Sequence, residues 1–395
     1  MSAVTATIET PRPDPSVPLD AAGPTARDRS AGLVGFVSWA KVPLALWLGA
    51  RLMIAAVWSV FKSYEFGSGI WDSVWYHLVA TEGYSLTLPD GMPEGSANIA
   101  FFPAYPMVSG FVSDVTGLSS YWSLHLVASL SGLAATVLLW AMVRSFYDER
   151  RATAVTALFA FSTGSFALSM LYSEGLFLVA AISCCWLLMR ERYLLAGAFA
   201  ALGTATRPTG VVLVAVCAAA AWFADRRDRP VAIAATLLST AGIGGYFVFL
   251  RGLTGSWTTY FEVQKSGWQD RTHLLEGRAV EIRSLIDPSF GDGAGRLAAV
   301  LSVMGFVTVV VGLRRLIAER AHVVLITYTG AMAAMLWTSV MVGFRPRMVM
   351  VIFPVFLGLS GVLDTRRRFT AWMAGSIALA VLVARGYLTG KHIVP

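Results

Sequence analysis

The chain has 395 residues, of which 56% are hydrophobic and only 14% charged, with a mean hydropathy of +0.63. A water-soluble domain carries about 25% charged and about 45–50% apolar residues. The composition therefore excludes an ordinary cytosolic enzyme, a secreted disulfide scaffold and, despite a formal charge of +7, a nucleic-acid binder, and it implies an all-α polytopic membrane protein.

Residues 1–38 contain Pro11, Pro13, Pro15, Pro18 and Pro24 and no apolar run. They read as a disordered cytosolic tail and not as a cleavable signal peptide. Residues 39–390 are expected to form one transmembrane domain. A hydrocarbon core about 30 Å thick takes about 20 apolar residues per helix. Spans are expected over residues 40–61, 121–145, 152–171, 174–189, 193–207, 209–224, 231–251, 297–313, 322–343, 348–363 and 369–388. Cytoplasmic connections collect Lys and Arg. With the N-terminus inside, five compact basic clusters all fall on the inner face: Arg144 with Arg150 and Arg151, Arg190 with Arg192, Arg226 to Arg229, Arg314 to Arg320, and Arg366 to Arg368. Counting the apolar stretch 100–118 as a further span would put all five outside. It is therefore expected to be a re-entrant or interfacial helix interrupted by Pro103 and Pro106. Cys184, Cys185 and Cys217 lie within apolar runs, which argues against a disulfide framework or a cysteine metal site.

Two outer segments, 62–120 and 252–296, are too long to be simple turns, and the unusual chemistry gathers beside them. Just after the first span, Trp71, Asp72, Trp75 and Tyr76 open a helix that Gly83 should end. Asp72 reads either as an N-cap or as a carboxylate presented to a lipid-borne substrate. Glu174 begins the fourth span, Arg207 ends the fifth before Pro208, and Arg345 and Arg347 flank Pro346. Charges near the hydrocarbon mark substrate paths or paired sites, although at helix ends they also snorkel. Arg51, in the middle of the first span, reads as one half of a buried ion pair.

The second outer segment places Tyr260, Gln264, Trp268 and Arg271 at helical spacing. Beside them is Lys265, one of only four lysines among 31 Lys and Arg. Aromatics next to amides and cations suit sugar rings and phosphates, and also an ordinary aromatic belt. The five histidines share no metal-ligand spacing, and neither a nucleotide-binding loop nor a GxSxG elbow is present.

Four motifs stand in order: Trp71-Asp72, then Ala100-Phe101-Phe102-Pro103-Ala104-Tyr105-Pro106, then Leu171-Tyr172-Ser173-Glu174, then Ala205-Thr206-Arg207-Pro208-Thr209-Gly210. In this the chain resembles the PIG-V (GPI mannosyltransferase 2-like) family of GT-C membrane glycosyltransferases, prokaryotic branch, over residues 45–365. The resemblance implies a GT-C-type helical bundle in a bacterial plasma membrane, with its active site on the extracytoplasmic face. It implies a polyprenyl-phosphate sugar donor and a lipid-linked glycan acceptor, while the residue pattern itself supports no metal site and calls for no cofactor. The acid of the first outer loop, here Asp72, would be catalytic. Arg207, Lys265, Arg345 and Arg347 would be candidates for the donor phosphate. Trp71, Trp75, Tyr76, Glu174, Tyr260, Gln264 and Trp268 would be candidates for sugar or acceptor. A transferase for another polyprenyl-phosphate sugar or for a protein acceptor, and a lipid or sugar transporter, are the competing expectations.

Overall fold

The computed structural model describes residues 32–61, 71–86, 97–287, 289–290 and 293–388. Most of the expected N-terminal tail and parts of both outer segments lie outside these residues. The described chain is helical throughout, with one isolated bridge between Thr272 and Ser339. In chain order the α-helices are α1 Gly32–Val60, α2 Asp72–Glu82, α3 Ala104–Thr116, α4 Ser120–Phe146, α5 Glu149–Ala160, α6 Glu174–Leu188, α7 Tyr193–Thr206, α8 Val211–Phe223, α9 Arg229–Ser239 and α10 Ala241–Thr254. They continue as α11 Thr259–Gly267, α12 Glu276–Ile286, α13 Gly293–Ala318, α14 Val323–Thr338, α15 Pro346–Val351, α16 Pro354–Val362 and α17 Arg366–Leu388.

Five segments are long and apolar enough to cross a membrane: α1, α4, the α9–α10 pair, α13 and α17. The helices α6, α7, α8 and α14 are apolar but shorter. Of the short helices α6 is buried almost throughout, whereas α7 and α8 keep one exposed face. In the bundle α4 packs on α6, α6 on α7, α7 on α9, α8 on α14, and α13 on α16. Ends of short helices leave backbone groups exposed, which a membrane protein tolerates only where protein or a polar cavity surrounds them.

Two expected spans are broken. The one over 152–171 stops at Ala160 and resumes as a 3-10 turn, Ser165–Ser169, after Ser162, Thr163 and Gly164. The one over 348–363 divides into α15 and α16, because Pro354 has no N–H with which to continue α15. The first helix starts at Gly32, ahead of the expected boundary. The stretch 100–118 yields α3, which begins at its prolines instead of being interrupted by them. Pro103 is the N-cap, and Pro106 lies in the first turn, where a missing N–H costs nothing. Met107, Phe111 and Val115 form one exposed stripe on α3 while Tyr105 and Ser109 face inward, as an interfacial helix requires.

Arg51 makes no ion pair among the described residues. Its Nη1 donates to the Ser165 carbonyl at 2.8 Å and to Ser169 Oγ at 2.6 Å, and its guanidinium lies 4.5 Å from the Trp47 ring. The broken span supplies both acceptors: the 3-10 turn offers a backbone oxygen, that of Ser165, and a side-chain hydroxyl, that of Ser169.

The second outer segment is pinned to the loop between α14 and α15. His273 N donates to the Thr338 carbonyl at 2.8 Å, and Val340 N to the Arg271 carbonyl at 3.1 Å. Asp270 Oδ1 accepts from Ser339 Oγ at 3.0 Å and from Met341 N at 3.1 Å. This holds the start of α15, and with it Arg347.

Candidate functional site

Four charged side chains distant in sequence meet at one place, and each is delivered by a helix end. Asp72 is the first residue of α2. It follows Trp71, whose φ of 54° turns the chain sharply into the helix. Asp72 is not the N-cap: Trp71 holds that position with no side-chain cap. The helix then buries Trp75, Tyr76 and Val79 and ends at Gly83, at φ 76°. Glu174 is the first residue of α6, where a carboxylate also meets the positive end of the helix dipole. Arg207 stands after α7 with extended backbone, the conformation that a following proline imposes. Arg347 lies in the first turn of α15, behind Pro346.

The contacts form a chain. Asp72 Oδ2 pairs with Arg347 Nη2 at 2.6 Å, Arg347 Nε pairs with Glu174 Oε1, and Glu174 Oε1 pairs with Arg207 Nη1 at 2.6 Å. Two carboxylates balance two guanidinium groups. The side chains of Glu174, Arg207 and Arg347 are 0%, 7% and 6% exposed, and that of Asp72 is 26% exposed. Asp72 is therefore the open edge of a buried, neutral cluster.

Aromatic and hydroxyl groups fix the cluster in place. The Arg347 guanidinium lies 4.1 Å from the Tyr172 ring centre. Ser173 Oγ accepts from Arg207 Nη1 at 3.3 Å and shares a 2.7 Å hydrogen bond with Tyr76 OH. Tyr76 is wedged edge-on against Phe101 and Tyr105. The cluster nevertheless keeps unused bonding capacity. Among the described residues Glu174 Oε2 and Arg207 Nε are buried without a hydrogen-bond partner, and Arg207 Nη2 reaches only Met348 Sδ, at 3.6 Å. A buried polar group left unpaired costs about 1–3 kcal/mol, more when charged. The site is thus built with one acceptor and one or two cationic donors in reserve.

The remaining candidates form a second layer. Trp75 is buried, with Phe101 stacked at 5.7 Å and Trp268 at 5.2 Å. Much of its ring is therefore committed to packing. Tyr260 is buried on α11 against Phe102 and accepts from Gln264 Nε2 at 3.1 Å. Helix α11 ends at Gly267, so Arg271 leaves the expected stripe and pairs with Glu276. Trp71 is half-buried, with its ring 6.4 Å from that of Tyr387. Lys265 is exposed on α11, away from the cluster contacts. Arg345 is half-buried at the N-cap of α15. Among the described residues no three His, Cys, Asp or Glu side chains come together as a metal site. The sequence reading missed Tyr172, Ser173 and Tyr387 as site residues. Tyr172 and Ser173 adjoin Glu174 in one of the motifs, whereas nothing in the sequence sets Tyr387 apart.

The profile of a family described as dolichyl-phosphate-mannose-protein mannosyltransferase matches residues 103–261, which is less than half of the chain. No curated protein sequence matches. Among solved structures, ArnT from Cupriavidus metallidurans, bound to undecaprenyl phosphate, superposes with a TM-score of 0.54 and 13% identity, over 89% of this chain and 64% of that one. The oligosaccharyltransferase of Archaeoglobus fulgidus with a tethered acceptor peptide gives 0.53 and 13%, over 88% of this chain and 55% of that one. The same archaeal enzyme, AglB, with an inhibitory peptide and a dolichol-phosphate gives 0.52 and 13%. This chain spans less than two thirds of the length of these proteins. The likeness establishes the fold: the chain is a polytopic membrane protein built on a GT-C-type bundle.

Proposed function

We propose that the protein is a membrane glycosyltransferase that moves a sugar, mannose first among the candidates, from a polyprenyl phosphate to a lipid-linked or glycan acceptor. The observation that carries this reading is the cluster's unused capacity. A partly exposed carboxylate stands beside a buried cation with free N–H groups and a buried carboxylate with a free oxygen. A substrate with a hydroxyl to deprotonate, a phosphate to bind and sugar hydroxyls to hold would satisfy all three. Structures of proteins sharing the fold contain undecaprenyl phosphate and dolichol-phosphate, and the partial match to a mannosyltransferase family favours mannose. The motifs around Asp72, Phe102, Glu174 and Arg207 favour the PIG-V-like branch.

In this mechanism the acceptor oxygen attacks the anomeric carbon from the side opposite the phosphate. Its proton passes to Asp72, a new carbon–oxygen bond forms, and the bond to phosphate breaks with the electron pair leaving on polyprenyl phosphate. Configuration at the anomeric carbon inverts. General-base assistance supplies about 10²–10⁴-fold of rate. Arg207, with Arg347 beside it, stabilises the departing phosphate by charge-assisted hydrogen bonds in a water-poor site. Lys265 and Arg345, nearer the surface, would meet the donor phosphate as it enters. Glu174 Oε2 accepts from a sugar hydroxyl, and Trp71, Tyr76 and the Trp75–Trp268 and Tyr260–Gln264 layers border the sugar and acceptor. We assign the reaction to the extracytoplasmic face of a bacterial plasma membrane; the clustering of arginines in the loops expected to be cytoplasmic supports that side.

The test is a transfer assay with purified protein in vesicles, supplied with labelled polyprenyl-phosphate mannose, glucose or arabinose and a membrane lipid extract. Label moving into a lipid or glycan product supports the reading, and the preferred donor identifies the sugar. Labelled substrate crossing the vesicle membrane with no new product would replace it with a transporter.

A further inference from the structure

The last helix is an outlying element. Only 17% of its most apolar window is buried. Its buried positions, Ala380, Val383, Ala384 and Tyr387, recur at i, i+3, i+4 and i+7 and form a stripe confined to its C-terminal half. The side chain at the end of that stripe reaches the charge cluster twice. Tyr387 OH is hydrogen-bonded to Tyr172 OH, and the Tyr172 ring is the surface on which the Arg347 guanidinium rests. The Tyr387 ring also packs 6.4 Å from Trp71, the residue whose left-handed turn aims Asp72. Both halves of the Asp72–Arg347 ion pair therefore lean on one tyrosine of α17.

We propose that Tyr387 is a positioning residue for the Asp72–Arg347 pair, and hence for transfer; the inference rests on the glycosyl-transfer reading of the site. A buried tyrosine hydroxyl needs a partner. Tyr172 is fully buried, so without Tyr387 its ring can tip towards another acceptor and carry Arg347 with it. A small misplacement at a reacting centre is expensive, because the geometry of attack is fixed in advance of the chemistry. Tyr387 touches neither Asp72 nor Arg347 in the described contacts; through them it acts on the acceptor proton and the departing phosphate, so its effect falls on the chemical step more than on donor binding.

The experiment measures kcat and the donor KM of Tyr387→Phe, Tyr172→Phe and the double variant, each purified and checked by thermal unfolding. Each single variant is expected to lower kcat about 3–10-fold, the worth of one hydrogen bond, with donor KM unchanged. The double variant should lose no more than either single one, because both remove the same bond. Val383→Ala, one turn back on the same stripe and with no hydroxyl to offer Tyr172, should loosen α17 and leave kcat alone. Unchanged kcat in Tyr387→Phe, additive losses in the double variant, or an equal loss in Val383→Ala would each overturn the proposal. If Tyr387→Phe does not fold, Tyr172→Phe reads the same bond from its other side. Asp72→Asn in the same assay separates the two levels. Full activity there defeats the transfer reading itself, whereas an inactive Asp72→Asn beside a fully active Tyr387→Phe defeats only this inference.

Discussion

Glu174 holds two arginines on a single oxygen, Oε1, at a position fully closed to solvent. Removing one member of a buried ion pair costs about 3–5 kcal/mol, since the charge left behind is uncompensated. Glu174→Ala strands two guanidinium groups at once. It is expected to lower unfolding stability by at least about 3–5 kcal/mol and to abolish transfer, as measured by denaturant unfolding in detergent alongside the transfer assay. Arg207→Lys keeps the charge but loses the planar fork that serves Glu174 and Ser173 while leaving Nε free. It should raise the donor KM more than Glu174→Gln does. The sequence already singled out Asp72, Glu174, Arg207 and Arg347, because a charge at the end of an apolar run is conspicuous. Their mutual pairing was not legible: Arg347 stands 275 residues from Asp72 and 173 from Glu174, and only the bundle brings them together. Arg51 shows the reverse case. Its charge was equally conspicuous, but its partners are a carbonyl and a serine hydroxyl of a broken helix, and the break has no signature in residue type.

At the scale of elements, close backbone approaches set where the charges sit. A Cβ on Gly175 would come within 2.8 Å of the Ala128 carbonyl oxygen on α4, and one on Gly164 would collide with the Pro346 carbonyl at the start of α15. Gly175→Ala should displace Glu174, and Gly164→Ala should displace Arg347. Each is expected to reduce transfer by an order of magnitude or more while Gly244→Ala, which meets nothing within 4 Å, does not. Helix α2 is tied to α4 through His77. Its ring stacks 4.0 Å from that of Tyr121, and its Nδ1 shares a 2.8 Å hydrogen bond with Ser120 Oγ. Burial holds the imidazole below its ordinary value, with Glu82 partly opposing the shift. The folded protein therefore takes up this proton less readily than the unfolded chain. The contribution is complete above about pH 6.5 and is lost as pH falls toward the lower folded value. Thermal stability should decline through that window in the unaltered protein, and the decline should be smaller in His77→Gln. Interfacial helices α2 and α3 were legible from aromatic spacing and loop parity. The breaks at Gly164 and Pro354 were not, because an apolar window averages over the residues that stop a helix.

For the whole molecule, composition alone identified a membrane bundle, and the arginine clusters proposed its orientation. The end that carries Arg151, Arg315 and Glu319 is cross-braced: Arg151 pairs with Glu319 and donates to Ser360 Oγ at 3.2 Å, and Arg315 pairs with Glu319 at 2.7 Å. The opposite end carries α2, α3, α11 and the charge cluster. The native cysteines are buried, so introduced ones can be read against a quiet background. With intact cells, a membrane-impermeant maleimide should label Arg283→Cys on α12, and it should label Arg367→Cys on α17 only after permeabilisation. In the proposed transfer the exposed edge of the cluster, Asp72, takes the acceptor's proton. The most direct measurement is turnover of Asp72→Asn at saturating polyprenyl-phosphate sugar. Turnover is expected to fall about 10²–10⁴-fold with the protein folded and the donor still bound. Turnover equal to that of the unaltered protein would rule that role out.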